Sequence, residues 1–234
     1  MTLNSLKRVV SYLPFRWQQS LKRFHFSLKI QKGLFRSYEP EYNRLDEWVQ
    51  PGDWVLDIGA NVGHYSAKLS ELVGISGRVI CLEPVPQTFE LLSTNMNKCT
   101  HNNVTLLNVA ASEEVKVVGM SMGEFSTGLK NFYEARVSNR IVSLTALAIP
   151  VDFLNIPMPI SLSKIDVEGH ELSVLKGMRN LIKRDCPVMI VEGRCEKVFE
   201  FLTSLGYSFT ECAGSPNRIF FKNYSPGIHR KPGL

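Results

Sequence analysis

At 234 residues, with 44% hydrophobic and 21% charged side chains, the chain has the make-up of an ordinary globular protein and can fill one sizeable core. It holds no uninterrupted apolar run of the ~18 residues a membrane span needs, and its basic N-terminus lacks a signal peptide's compact apolar stretch, so a cytoplasmic protein is the expectation. The net charge of +5 is unevenly placed: residues 1–36 carry eight of the 27 Lys and Arg and none of the 22 Asp and Glu, which leaves the remainder at −3.

In the basic arm, taken as residues 1–49, Leu3, Leu6, Val10, Leu13, Trp17, Leu21, Phe24 and Leu28 recur every three or four residues, the stripe of an amphipathic helix. Pro14 cannot sit mid-helix without removing a hydrogen bond, so two helices or a kink are predicted there. The stripe would pack on the main domain or on a second subunit, which makes a homo-oligomer a candidate state. Alternatively, it would lie on an anionic membrane, with Lys7, Arg8, Lys22, Arg23 and Lys29 mostly off the stripe. Nothing else in the chain supports nucleic acid as a partner. Residues 41–49 read as a short helix, halted by Pro51-Gly52-Asp53.

Residues 54–58 form a short apolar strand closed by Gly59, and Gly59-Ala60-Asn61-Val62-Gly63 turns the chain into a helical pattern over 65–73. Strand, glycine loop and helix in that order open a nucleotide-binding α/β unit: glycine permits close ligand approach, and the helix presents free amides. A second strand, 78–82, ends on Glu83, 20 residues beyond Gly63. A carboxylate at that distance can accept both hydroxyls of a ribose bound over the loop. The loop spells G-x-x-x-G and not G-x-G-x-x-G, and Asp57 sits just before it. An acid there repels a pyrophosphate, which tells against a nicotinamide oxidoreductase. It suits a ligand with a sulfonium, an ammonium and a ribose, and S-adenosylmethionine (SAM) has all three.

A helix over 86–98 and a strand over 104–109 continue the alternation, which implies a parallel, doubly wound sheet with ligands at the strands' carboxyl ends. Residues 112–158 interrupt it. There 115–122 alternates as an edge strand would, 123–139 is polar, 141–144 reads as another strand and 151–154 as a helical turn. Such an insertion either covers the substrate or extends the sheet edge. Strand four, 161–165, runs into Asp166-Val167-Glu168-Gly169-His170-Glu171, and a helix follows over 171–184. Strand five, 187–191, ends on Glu192; a helix over 196–205 precedes strands 207–211 and 218–222, which close the sheet as an antiparallel hairpin. After Tyr224, residues 225–234 are Pro, Gly and charge and are expected to fray. The five cysteines show no C-x-x-C spacing; Cys81 and Cys186, in or beside apolar runs, read as small buried hydrophobes, and no metal is assigned.

Three stretches together resemble the FkbM family of SAM-dependent methyltransferases. They are Leu56-Asp57-Ile58-Gly59-Ala60-Asn61-Val62-Gly63-His64-Tyr65-Ser66, then Glu83-Pro84-Val85-Pro86, then Lys164-Ile165-Asp166-Val167-Glu168-Gly169-His170-Glu171 with Leu175-Lys176-Gly177. The likeness covers about residues 50–222, so a domain over 50–224 is drawn and the arm stays outside it. It implies an α/β, class I methyltransferase fold: a Rossmann-like, seven-stranded, mostly parallel sheet with an antiparallel last strand. It also implies SAM as methyl donor and a hydroxyl oxygen of a sugar, glycan or small natural product as acceptor. By the same resemblance Asp57, Gly59 and Gly63 would hold the methionine part with Asn61 nearby, Glu83 the ribose, and the stretch from Asn108 to Ala110 would lie by the adenine.

Methyl transfer to a hydroxyl is an in-line displacement. Aligning the reactants in a dry site supplies ~7–11 kcal/mol of the barrier, and a carboxylate or histidine must take the hydroxyl's proton. Candidates at the mouth are Asp166, Glu168, His170 and Glu171 after strand four, and Glu192 and Arg194 after strand five. Asp166 is the expected base or acceptor-orienting group, Glu192 the second candidate, and Glu168 shares Asp166's strand parity. Lys164 can pair with either carboxylate, and these charges could equally form a structural ion network. Several acids at one mouth could hold a divalent cation through oxygen ligands, though nothing in the spacing demands one. A SAM-binding scaffold without catalysis and a nicotinamide oxidoreductase are the competing functions.

Overall fold

The computed structural model describes residues 12–124, 130–138 and 144–222. Its centre is a seven-stranded sheet in the order β3 (Val104–Leu107), β2 (Arg78–Leu82), β1 (Trp54–Ile58), β8 (Ile160–Ile165), β9 (Val188–Glu192), β11 (Asn217–Lys222), β10 (Tyr207–Glu211). The first five run parallel, and β11 enters antiparallel between β9 and β10. This is the mostly parallel sheet with an antiparallel closing strand that the pattern implied. Both its faces are covered, so the inner strands read as continuous apolar runs, not as alternating ones. Val55, Val79, Leu162 and Ile190 point into one core layer, and Leu56, Ile58, Ile165 and Val191 into the other.

Helices α2 (His64–Val73), α3 (Pro86–Met96), α4 (Glu171–Gly177), α5 (Arg179–Asp185) and α6 (Glu196–Ser204) follow the strands nearly as the periodicity suggests. One departs from it. The helix expected over 171–184 is two helices, parted at Met178 (φ −120°, ψ 20°), and Gly177 before it lies against the chain at Ser112: a Cβ there would come within 1.8 Å of the Ser112 carbonyl oxygen. Asp152 then caps the new start, its two carboxylate oxygens each accepting an amide, from Asn180 and Leu181, at 2.9 Å.

The insertion is a second, separate sheet. β4 (Ala110–Ala111), β7 (Thr145–Ile149), β5 (Lys116–Glu124) and β6 (Lys130–Ser138) lie side by side in that order, so it does not extend the central sheet's edge. Its first strand lies just beyond the strand expected over 104–109, which ends in the central sheet at Leu107. The turn expected over 151–154 is a 3₁₀ helix, Val151–Leu154, whereas most of the strand expected over 141–144 falls outside the described residues, as does the tail 225–234.

The arm holds the largest correction. Its described part is one helix, α1 (Phe15–Gln31), which starts directly after Pro14; Leu3, Leu6 and Val10 lie outside the described residues. The apolar stripe does not pack on the domain. Trp17, Leu21, Phe24 and Leu28 are 66%, 43%, 64% and 37% exposed, while Gln19 and Phe26 on the opposite side are buried. Phe26 decides the orientation by entering an aromatic cluster, edge-on to Phe35 at 5.8 Å and to His64 at 6.2 Å. Phe35, Tyr42, Leu45 and Val49 belong to the same core layer as β1. The stretch 35–49, including the 3₁₀ helix Pro40–Glu47, is thus built into the domain. All five cysteines are free; Cys81 is buried as expected, but Cys186 is half-buried at the left-handed end of α5.

Candidate active site

A cleft opens where β1, β2, β8 and β9 end, because a parallel sheet aims all four carboxyl ends to one side. Asp57, the last-but-one residue of β1, is fully buried on its floor. Ser66 Oγ donates to its Oδ2 at 2.5 Å, and its Oδ1 has no partner. Burial pushes the Asp57 carboxyl up, against the pull of Lys164. The unpartnered Oδ1 leaves a buried acceptor free beside the cleft. Glu83 takes two backbone amides, Asn61 N–H on Oε2 and Val85 N–H on Oε1, each at 2.9 Å. A carboxylate has about four lone pairs, so each oxygen can still accept a ribose hydroxyl. Burial raises the Glu83 carboxyl to about 7, its amide bonds opposing.

The loop between them, closed by left-handed Gly63 at φ 96°, also turns on Gly59 at φ 78° and Asn61 at φ 51°. Gly59 must be glycine: a Cβ would lie 1.8 Å from the Asp166 carbonyl oxygen. Gly59 and Asn61 line the cleft, as does Ala110. Two expectations change here. Gly63 caps α2 and packs against Leu92 and Met96, away from the cleft. Asn108 also turns away, its amide donating to the Glu83 and Pro84 carbonyls at 2.8 and 3.2 Å.

Opposite this cofactor-sized wall stand the charges of β8 and β9. Lys164 is 4% exposed; its Nζ donates to Asp166 Oδ2 at 2.7 Å and lies 4.7 Å over the Tyr65 ring. Burial alone would lower the Lys164 ammonium, but Asp166 and Asp57 outweigh it and hold it above its ordinary value. Burial also opposes ionisation of Asp166, yet Lys164 and a hydrogen bond from Glu192 keep that carboxyl below the usual range. Burial first, then Asp166, pushes Glu192 up to about 9. The two carboxyls are thus pushed in opposite directions, Asp166 toward its ionised form and Glu192 toward its protonated one. Glu168, left-handed at φ 54°, completes a triangle with these two, carboxylate oxygens of all three within 4.8 Å of one another. That set has the oxygen chemistry of a divalent-cation site, with Lys164 against Asp166 and Arg136 against Glu168 as the cations beside it.

Several lining residues had no signal in the sequence. Ser37 and Glu39 reach the cleft from the segment after α1, Ser37 Oγ donating to Glu39 Oε2 at 2.8 Å. Met120, Ala135 and Val137 form a wall from the second sheet, and Arg136 beside them pairs with Glu168 at 3.5 Å. His170 lines the cleft with Nε2 3.1 Å from the Ser112 hydroxyl, while Glu171 accepts the Gly169 amide at 2.8 Å and serves the loop. His64 is also at the cleft, and burial lowers it to about 4, so it is a neutral ring.

A family model, the methyltransferase FkbM domain, matches residues 57–209, well over half of the chain. The chain belongs to the FkbM methyltransferase family. This tells against the nicotinamide reading, since the family is one of SAM-dependent methyltransferases. Among solved structures, an FkbM methyltransferase from Methylobacillus flagellatus is similar with a TM-score of 0.50 and 19% identity, over 78% of this chain and 50% of that one. A precorrin-6y C5,15-methyltransferase from Geobacter metallireducens has the same score at 18% identity, over 80% and 90%. At these identities the likeness shows the class I fold alone. A curated relative, the hexuronic acid methyltransferase AglP of Haloferax volcanii, is 27% identical over 139 residues, 59% of this chain. The FkbM chain spans about half that relative's length, at 55%. Protein-L-isoaspartate O-methyltransferase of Aeropyrum pernix is 44% identical over only 55 residues, 24% of this chain and 21% of that one.

Proposed function

We propose that the protein methylates a hydroxyl oxygen of a uronic-acid-bearing carbohydrate. The observation that carries this is Asp166, an ionised carboxylate at the end of β8, facing the cleft with 27% of its side chain exposed and held anionic by Lys164. Bound SAM supplies a methyl group on a sulfonium, which is already a good leaving group. The chain does the rest. Asp57 Oδ1 receives the ammonium, Glu83 the ribose hydroxyls, and the second sheet shields the acceptor from water. Asp166 takes the acceptor's O–H proton as its oxygen closes on the methyl, a contribution of about 10²–10⁴ in rate. Glu192, pushed toward its protonated form, would donate to Asp166 and keep it aimed. The likeness to a hexuronic acid methyltransferase supports an acidic sugar, and Arg136 on the rim is placed to meet its carboxylate.

The test is radiolabelled methyl transfer from SAM to a panel of glucuronic- and galacturonic-acid oligosaccharides, neutral sugars and a protein acceptor. The expected product is a base-stable methyl ether on a uronic-acid glycan. A product that mild base cleaves would be a carboxyl ester, whose formation needs no base, and would remove that role from Asp166. Transfer to nitrogen or carbon would overturn the acceptor class.

A further inference from the structure

We infer that helix α1 docks the protein on the surface of a lipid bilayer with anionic headgroups. Four large apolar side chains, Trp17, Leu21, Phe24 and Leu28, follow at i, i+4, i+7 and i+11, so they form one ridge along the helix. The ridge points away from the protein, since the opposite face carries the packed residues Gln19 and Phe26.

The helix is fastened so that it presents this ridge. Gln19 Nε2 donates to the Gln87 carbonyl at 3.2 Å, Arg23 pairs with Glu90 at 2.7 Å, and Phe26 sits in its aromatic cluster. A line of four such side chains in water is far from the scattered single exposures that need no explanation.

Charge selects the occupant. Residues 1–36 hold eight cations and no acid, although the rest of the chain is net negative. A second copy of so basic an arm would bring like charge to the same ridge. An anionic bilayer instead accepts Trp17 and Phe24 at headgroup depth and attracts Arg16, Lys29 and Lys32 alongside. Each cation near such a surface is worth about fivefold in partitioning at ordinary ionic strength.

Co-sedimentation of the full chain tests this, with vesicles of phosphatidylcholine alone and with about 30% phosphatidylglycerol added. Expected is binding to the anionic vesicles, a blue shift of Trp17 emission, and release by high salt. The double variant W17E/F24E should lose ~10-fold or more of that binding while keeping its affinity for S-adenosylhomocysteine, because neither side chain packs on the domain. Absence of binding to either vesicle overturns the inference. So does equal, salt-insensitive binding to both. Light scattering supplies the remaining outcome: a dimer that W17E/F24E dissolves, without vesicle binding, would make the ridge a face between copies.

Discussion

Asp166 and Glu192 are both carboxylates at neighbouring strand ends, yet their surroundings pull them apart. Lys164 pulls Asp166 toward its ionised form, while burial and then the Asp166 charge push Glu192 toward its protonated one. Replacing Asp166 by Asn should therefore cut kcat by about 10²–10⁴ and leave S-adenosylhomocysteine affinity, measured by calorimetry, within about twofold, since a 0.4 kcal/mol change is all that would represent. Glu192→Gln keeps a donor toward Asp166 and should retain most of the rate; if it were as inactive as the Asp166 variant, the base would be Glu192. Gly59 makes the same point sterically. Gly59→Ala places a methyl into the Asp166 carbonyl, and the left-handed backbone alone costs about 1–3 kcal/mol. Gly169 is also left-handed, at φ 96°, but nothing lies within 4 Å of its added Cβ. Thermal unfolding should thus show Gly59→Ala clearly more damaging than Gly169→Ala. Equal losses would mean that the close approach to Asp166 relaxes.

What could be read from the sequence follows element by element from the range of the interactions. Asp57, Gly59, Glu83 and Asp166 were legible because a strand end, a turn and a helix start are local, and a parallel sheet then gathers strand ends without further information. The wall of Met120, Ala135 and Val137 depends on the second sheet folding over the cleft, and Ser37 and Glu39 on the chain's return after α1. Those contacts span tens of residues and leave no spacing behind. Asn108 and Gly63 do not line the cleft, for the opposite reason: each satisfies a neighbour, a carbonyl pair or a helix packing, that a motif does not display. The periodicity of α1 identified an apolar face but could not say what covers it. For the second sheet the expectation is functional. Arg136 is 62% exposed in its pair with Glu168, so the pair contributes under about 1 kcal/mol to stability. Arg136→Ala should leave the melting temperature unchanged and raise KM for a uronic-acid acceptor severalfold, while KM for SAM stays put. A fall of several degrees with unaltered KM would make the pair structural.

Over the whole molecule these carboxyls set how stability responds to pH. In the unfolded chain a Glu titrates near 4.3; in the fold Glu192 is raised to about 9 and Glu83 to about 7, with burial the first cause of both. Between those limits the folded state keeps protons that the unfolded chain has released, so unfolding free energy falls as pH rises. His64, lowered to about 4 by burial, works the other way: its contribution grows as pH climbs from 4 to 6.5 and is complete above. Above about pH 4.3 the two raised carboxyls outweigh the one lowered imidazole, so the cofactor-free protein should melt progressively lower from pH 6 toward pH 9. Glu192→Gln imitates the protonated side chain. It should match the parent only below about pH 4.3 and exceed it already at pH 6 and more at pH 9, with a flatter slope between. Calorimetric or circular-dichroism melts at pH 6, 7.5 and 9 read this directly. A parent that melts equally high or higher at pH 9 would show that Glu192 carries no extra proton in the fold. The opposite push on Asp166 and Glu192, and the division of roles built on it, would then be wrong.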